Sequence, residues 1–258
     1  EFFEEHSDAF FIVGNFMGLS KDCMKALANH DYAIMEHDHK YLKTRDPSPY
    51  ESANFIAPNA AIINSDFYKN AKAVLCQSKL HSQILSDNLM HRNVINLGCS
   101  LWSEEQMGII EKYTTSQKTK GVGILKSENA IKGTAQAMQI CRQKNIPFDL
   151  IPPSSFEKLM EEMSKHEMIL TQPQVIETFC RVLVEARMLG CKVASNNRNG
   201  CTSEPWFSKL TGQDLIDFVK KEKIRVLGVF DRLINGETKE EEFFAYSNPI
   251  RQPKEEDK

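Results

Sequence analysis

Short apolar runs alternate with amphipathic helical patterns along most of this chain, and this alternation is the feature that most restricts its fold. The runs are bounded by Gly or polar residues, as are strands buried within a parallel sheet. Strands are predicted at 9–14, 32–35, 73–77, 93–97, 121–125, 148–151, 168–171 and 191–195. Helices are predicted at 20–29, 79–88, 132–144, 156–165, 179–189 and 210–222. Such alternation is typical of α/β folds with parallel sheets.

These strands and helices fall into two blocks, which are separated by the polar residues 103–120. We therefore predict two Rossmann-like domains, residues 1–115 and 116–245, with a linker between them and a charged tail at 246–258. In such folds ligands bind beyond the carboxyl ends of the strands, so a central cleft between the two sheets is the expected site. The first block is short for a domain of this type, and we expect it to be incomplete.

The composition excludes some classes of protein. Among 258 residues, 32 Lys and Arg stand against 35 Asp and Glu, so no nucleic-acid partner is expected. No apolar run approaches the ~20 residues of a transmembrane helix. The seven cysteines form no C-x-x-C pair, and the chain opens on EFFEEHSD, which does not resemble a signal peptide. We expect a cytoplasmic protein with reduced thiols.

Two glutamates in the second block, Glu177 and Glu185, belong to the segment ETFCRVLVEARMLG. If a helix begins at Thr178 or Phe179, Glu177 lies at its start, beside backbone N–H groups that favour phosphate. Glu185 then lies about 9–10 Å further along the helix. A nucleoside diphosphate sugar is long enough to contact both glutamates. Two glutamates at this spacing are, however, also common on solvated helices.

A lysine and a glycine, Lys132 and Gly133, precede another predicted helix in the second block. A lysine in this position can act as a compact cation that faces phosphate groups. The alternative is an ordinary solvated lysine.

The segment EHDHKYL follows the strand predicted at 32–35. If the strand continues, His37 and His39 share one face, while Glu36 and Asp38 share the other. A metal pair is one interpretation, although a third ligand is missing. A histidine of an active-site loop is the second interpretation, and a polar loop without function is the third.

Several segments taken in order resemble a known family. The runs IKGTAQA, QPQVIETFCRVLVEARMLGCKV and NGCTSE look like the donor-binding half of retaining GT-B glycosyltransferases of the family 4 type, with an E-x7-E motif. The resemblance covers roughly residues 120–205 and extends more loosely to 9–100. It implies two Rossmann-like domains of the GT-B type, whose parallel sheets face a central cleft.

The resemblance also implies roles for particular residues. Catalytic roles fall to Glu177 and to His37 or His39. Lys126 stands in place of the arginine usual in this family. Arg181 stands where the family usually has a small or aliphatic residue, and in a first helical turn it would either assist the phosphates or simply be solvated. Donor contacts are implied for Lys126, Lys132, Gly133, Thr178, Phe179, Arg181 and Glu185, of which Glu185 would hold the ribose.

The function implied is transfer of a hexose from a nucleoside diphosphate sugar to an unknown acceptor (a glycan, a lipid or a small molecule). Transfer would proceed with retention and without a metal or other cofactor. An inactive nucleotide-sugar-binding or scaffold protein on the same fold is the first alternative. A nicotinamide oxidoreductase is the second, but Gly121 and Gly123 lack the third glycine of a G-x-G-x-x-G motif.

Overall fold

The computed structural model describes residues 2–91 and 93–243, so the predicted tail at 246–258 lies outside the described residues. The strands are β1 (Phe11–Val13), β2 (Tyr32–Met35), β3 (Ala73–Cys76), β4 (Val94–Asn96), β5 (Lys120–Leu125), β6 (Phe148–Ile151), β7 (His166–Leu170) and β8 (Lys192–Ala194). The α-helices are α1 (Phe2–Glu5), α2 (Lys21–Leu27), α3 (Ser65–Asn70), α4 (Lys79–Leu89), α5 (Glu104–Tyr113), α6 (Thr134–Gln143), α7 (Phe156–Ser164), α8 (Arg181–Met188) and α9 (Gly212–Ile234). Short 3-10 helices lie at Ser48–Ala53, Asn59–Ala61, Ala130–Lys132, Gly200–Ser203 and Glu240–Glu242.

Two four-stranded sheets organise the molecule. The first has the order β1-β2-β3-β4 and the second the order β6-β5-β7-β8, and every strand pair is parallel. The predicted α/β fold with two parallel sheets is confirmed. Because all strands of a sheet run the same way, their carboxyl ends lie along one edge.

The first sheet is covered on both faces. On β2, Tyr32 and Ile34 pack into one core cluster and Ala33 into another, because successive strand residues point to opposite faces. All three side chains are fully buried. Full burial of a side chain the size of Ile34 contributes roughly 1.5–3 kcal/mol relative to exposure. The apolar runs at 32–35 and 73–77 therefore become inner strands that are buried on both sides.

The second sheet has the same layered arrangement. On β7, Ile169 belongs to the large cluster that α5, α7, α8 and α9 cover, while Leu170 belongs to a smaller cluster beside α6. On α6, Ala137 and Cys141 fill the smaller cluster. Both faces of this sheet are therefore covered by helices.

Residues 103–120, predicted as a linker, contain the helix α5. Its start has a capping box, in which Ser103 Oγ accepts from the N–H of Gln106 and the Gln106 side chain accepts from the N–H of Ser103. Met107 and Ile110 of α5 are buried in the core of the second sheet. The helix therefore packs with the second sheet, although the predicted boundary at residue 115 places it with the first.

Helix α9 is longer than the predicted 210–222 and contacts both halves of the molecule. Near its start, Leu215 and Val219 pack in the second-sheet core. Near its end, Val226 and Val229 pack against the first sheet. One helix thus ties together the two cores.

Within the described ranges 2–91 and 93–243, no helix is both long enough and apolar enough to cross a membrane. All seven cysteines are free thiols.

Candidate functional site

A cavity of ≈440 Å³ lies at the carboxyl ends of β5, β6 and β7. We call it the β5–β7 cavity. Six of the residues that line it are Lys126, Lys132, Gly133, Glu177, Cys180 and Arg181. Its place agrees with the rule that ligands of parallel α/β sheets bind beyond the carboxyl ends of the strands.

The backbone at Gly133 brings Lys132 into this cavity. Gly133 ends the Ala130–Lys132 turn with a φ of +70°, a left-handed conformation that favours glycine. A Cβ atom there would lie 1.6 Å from the carbonyl oxygen of Gln172, so only glycine fits. With this turn in place, Lys132 Nζ lies 2.7 Å from Glu177 Oε1. The two charged residues predicted from separate segments therefore form an ion pair.

The backbone of Glu177 is fixed by the loop that follows β8. Its N–H donates to the carbonyl oxygen of Arg198 at 2.8 Å, and its carbonyl oxygen accepts from the N–H of Gly200 at 2.8 Å. These bonds form a parallel bridge between Glu177 and Asn199. The glutamate is thus held at the cavity wall by its main chain as well as by Lys132.

Helix α8 begins at Arg181, later than the predicted start at Thr178 or Phe179. Cys180 has a φ of +70° and interrupts the helical conformation before that point. Among the described residues, the N–H groups of Arg181 and Val182 have no hydrogen-bond acceptor, and both residues line the cavity. Unpaired N–H groups at a helix start favour anions. Burial raises the pKa of Cys180 to about 12, so its thiol is protonated at neutral pH.

Glu185 makes its contacts inside the protein. Its Oε1 accepts from Trp102 Nε1 at 2.9 Å and lies 3.5 Å from Arg181 Nε. Burial raises the pKa of Glu185, while Trp102 and Arg181 act in the opposite direction. Glu185 is not among the residues that line the β5–β7 cavity, and its contact with a ribose stays a prediction.

A second cavity, of ≈460 Å³, lies between the carboxyl edges of the two sheets. We call it the intersheet cavity. It is lined by residues of both halves, among them Met35, His37, Gln77, Leu101, Thr178 and Phe230. It shares Glu177, Cys180 and Arg181 with the β5–β7 cavity. The two cavities are therefore separated only by the loop that leads into α8.

Thr178 links the two halves across this cavity. Its Oγ1 donates to the carbonyl oxygen of His37 at 2.8 Å, and its own carbonyl oxygen accepts from Ser78 Oγ at 2.7 Å. Phe179, the next residue, is buried against Trp102 and Trp206. The two residues anchor the loop instead of opening the first turn of α8.

The two histidines of EHDHKYL point to different places. His37 lines the intersheet cavity, and partial burial together with the charge of Lys40 lowers its pKa. His39 is 1% exposed and its ring lies 5.1 Å from that of His81. Of the two candidates for a catalytic histidine, only His37 lies where it can meet a ligand.

β2 ends at Met35, as predicted, and the segment continues as a loop, so His37 and His39 do not share a strand face. Glu36 instead pairs with Lys40 inside the first core, at 2.6 Å. In the part of the chain that the structure describes, no group of three or more His, Cys, Asp or Glu side chains is arranged to hold a metal ion.

The structure adds site residues that sequence reasoning missed. Trp102 contacts both Glu185 and Arg181, and Gln77 accepts from Thr178 Oγ1 at 3.3 Å. Trp102 is one of only two tryptophans in the chain and lies just before the supposed linker. That rarity was the one available signal, since the partner of Trp102 lies 83 positions away.

No protein-family model and no curated protein matches the sequence. Solved structures do match the fold. A sucrose-phosphate synthase from Thermosynechococcus elongatus is 10% identical, with a TM-score of 0.53 over 91% of this chain and 76% of the other. A glycosyltransferase from Rickettsia africae is 11% identical, with a TM-score of 0.48 over 92% and 71%.

A structure of a GtfA/B complex is 15% identical, with a TM-score of 0.47 over 91% of this chain. This chain spans 54% of that protein's length. At such low identities the likeness concerns the fold alone. The fold is that of the GT-B type, with two Rossmann-like parallel sheets.

Proposed function

We propose that this chain binds a nucleoside diphosphate sugar in the β5–β7 cavity and transfers its hexose to an acceptor with retention. The observation that carries the proposal is the ion pair between Lys132 and Glu177 at 2.7 Å, in the wall of that cavity. The pair joins the Lys-Gly segment to the first glutamate of the E-x7-E segment. Gly133 and the main-chain bonds of Glu177 hold both side chains in place.

The cavity wall provides what a diphosphate needs. Lys126, Lys132 and Arg181 supply positive charge, and the start of α8 supplies unpaired N–H groups. Such groups stabilise the negative charge that develops on a departing nucleoside diphosphate, and no metal ion is then required. We therefore include metal independence in the proposal.

When the donor binds, the ion pair between Lys132 and Glu177 would break, and Lys132 would pair with the phosphates instead. Glu177 would then be free to accept hydrogen bonds from hydroxyls of the sugar. His37 stands in the neighbouring intersheet cavity, where we place the acceptor. The shared loop from Glu177 to Arg181 would hold the reacting carbon between the two cavities.

A protein that binds the donor without turnover is the second candidate. It is favoured by a departure from the expected site, since Glu185 Oε1 accepts from Trp102 Nε1 and Glu185 does not line the β5–β7 cavity. Measurement of sugar release separates the two candidates.

The first test is calorimetric titration of the chain with UDP, GDP and ADP, with and without EDTA. We expect one nucleotide to bind, with an affinity that EDTA leaves unchanged. Lys132→Ala should weaken this binding at least about tenfold, as expected for loss of a charge-assisted phosphate contact. Lys158→Ala is the matched control, because Lys158 is an exposed lysine on α7 that lines neither cavity.

Equal nucleotide affinities of the Lys132→Ala and Lys158→Ala variants would contradict the proposed site. With the preferred nucleotide known, the sugars carried by that nucleotide are tested for turnover by NMR. Release of sugar in the donor's anomeric configuration supports retention. Binding without release selects the second candidate.

A further inference from the structure

Arg181 occupies the one wall that the two cavities share. Its guanidinium group lies over the Trp102 ring, 4.7 Å from the ring centroid. Its Nε lies 3.5 Å from Glu185 Oε1, and its Nη2 donates to Gln106 Oε1 at 3.2 Å. The guanidinium is therefore held from three sides.

The supports are themselves connected. Trp102 Nε1 donates to Glu185 Oε1, the same oxygen that faces Arg181 Nε. A stacked and hydrogen-bonded arginine loses little side-chain freedom when it binds an anion, because it is already ordered. This arrangement prepares Arg181 for a ligand.

The exposed fractions of the side chains distinguish Arg181, which can contact a ligand, from Glu185 and Trp102, which support it. The Arg181 side chain is 38% exposed and the Glu185 side chain only 7%. Trp102 is 2% exposed. Of the three, Arg181 alone lines a cavity beside the start of α8. Among the described residues no acceptor contacts its Nη1, which leaves N–H groups for phosphate oxygens.

We infer that Glu185 and Trp102 are positioning residues, which hold the Arg181 guanidinium in place for the phosphate groups of a ligand without contacting that ligand themselves. The inference rests on the proposed function and replaces the ribose contact expected of Glu185. Trp102 lies between β4 and α5, and Gln106 lies in the first turn of α5. Two of the three groups that hold Arg181 therefore come from the part of the chain that leads from the first sheet into α5, and the third, Glu185, comes from α8 itself.

The test compares affinities for the tightest-binding of UDP, GDP and ADP, for its 2′,3′-dideoxy form and for inorganic pyrophosphate. The variants are Glu185→Gln, Arg181→Gln and the double variant of the full chain. We expect Glu185→Gln to weaken all three ligands by the same factor, about tenfold, as for one charge-assisted contact. In the Arg181→Gln background, Glu185→Gln should have no further effect.

A matched pair of tryptophan variants tests the same inference. Trp102→Phe removes the indole N–H that supports Glu185 and should weaken pyrophosphate binding. Trp206→Phe removes an indole N–H that donates to Gly98 at 2.9 Å, away from Arg181, and should leave that binding unchanged. Thermal melting of each variant confirms that it is folded.

Two results would overturn the inference while leaving the proposed function in place. One is that Glu185→Gln weakens binding of the nucleotide but not of its dideoxy form, which would indicate a ribose contact. The other is a full Glu185→Gln effect in the Arg181→Gln background. Failure of the wild-type chain to bind any nucleotide or pyrophosphate would overturn the proposed function, and this inference with it.

Discussion

At the scale of single residues, the sequence shows which side chains are unusual but not where they point. EHDHKYL was conspicuous, yet the strand periodicity used to interpret it ends at Met35. In the loop that follows, His37 turns to the intersheet cavity and His39 to the core. Side-chain direction in a loop depends on contacts distant in sequence, such as the one between His39 and His81, and no local pattern encodes them.

The buried pair of Glu36 and Lys40 gives a prediction about stability. Glu36 is 0% and Lys40 2% exposed, and Tyr68 also donates to Glu36. Lys40→Met should destabilise the protein by about 3–5 kcal/mol, because it leaves a buried carboxylate without its counter-charge. Urea unfolding measures the loss. Adding Glu36→Gln should restore part of it, and a double variant no more stable than Lys40→Met would refute this explanation.

His39 gives a prediction about pH. Burial lowers the pKa of His39 to about 3, whereas an unfolded histidine titrates near 6.5. As the pH falls below 6.5, His39 gains a proton in the unfolded chain but not in the folded one. Protonation therefore stabilises the unfolded state, and the free energy of unfolding decreases with falling pH. Between pH 7.5 and 5.5 this costs about 1.4 kcal/mol.

The check compares unfolding free energies at both pH values in the wild type and in His39→Gln. The other titratable groups are common to both proteins, so the difference between the two losses reports the titration of His39. We expect the variant to lose about 1.4 kcal/mol less than the wild type over this range. Equal losses in the two proteins would show that His39 is not responsible.

At the scale of helices and strands, prediction succeeded where apolar periodicity was strong. β2 lies at the predicted residues, because a short strand in the middle of a parallel sheet is apolar on both faces. β6 also lies at the predicted residues, although it is an edge strand with an exposed Asp149. The sequence analysis did not predict α5, because most of its residues are polar and only Met107 and Ile110 are buried. The start of α8 was displaced by the left-handed Cys180, a conformation that a cysteine does not signal in sequence.

The turn before α6 gives a prediction at this scale. Gly133→Ala places a methyl group against the carbonyl oxygen of Gln172 at a φ of +70°, so the turn must move. We expect a loss of about 2 kcal/mol or more in stability, and weaker nucleotide binding because Lys132 moves with the turn. Gly108→Ala in α5 is the control, since its Cβ meets nothing within 4 Å, and it should be neutral or stabilising. Equal stability of the two variants, by denaturant unfolding, would contradict the argument.

At the scale of the whole molecule, the two parallel sheets were predictable and their connections were not. The strand and helix rhythm restarts after β4, which indicated two sheets. The site depends on contacts between halves, such as that of Ser78 with Thr178, 100 positions apart. A single sequence carries no periodic signal for such contacts. Prediction therefore named Lys132 and Glu177, which the structure pairs in the cavity wall, but missed Trp102 and the length of α9.

Helix α9 gives the last prediction, which concerns how the two halves are coupled. Ile224 is 72% exposed and lies between the part of α9 that packs on the second sheet and the part that packs on the first. Ile224→Pro should break the helix at a cost of about 3 kcal/mol without removing a core side chain. Hydrogen exchange should then increase at 225–234 and remain slow at 215–219, because the second-sheet core still holds the first part. Ile224→Ala keeps the helix intact and should exchange like the wild type. Uniform exchange along α9 in the proline variant would mean that the helix does not couple the two cores in this way.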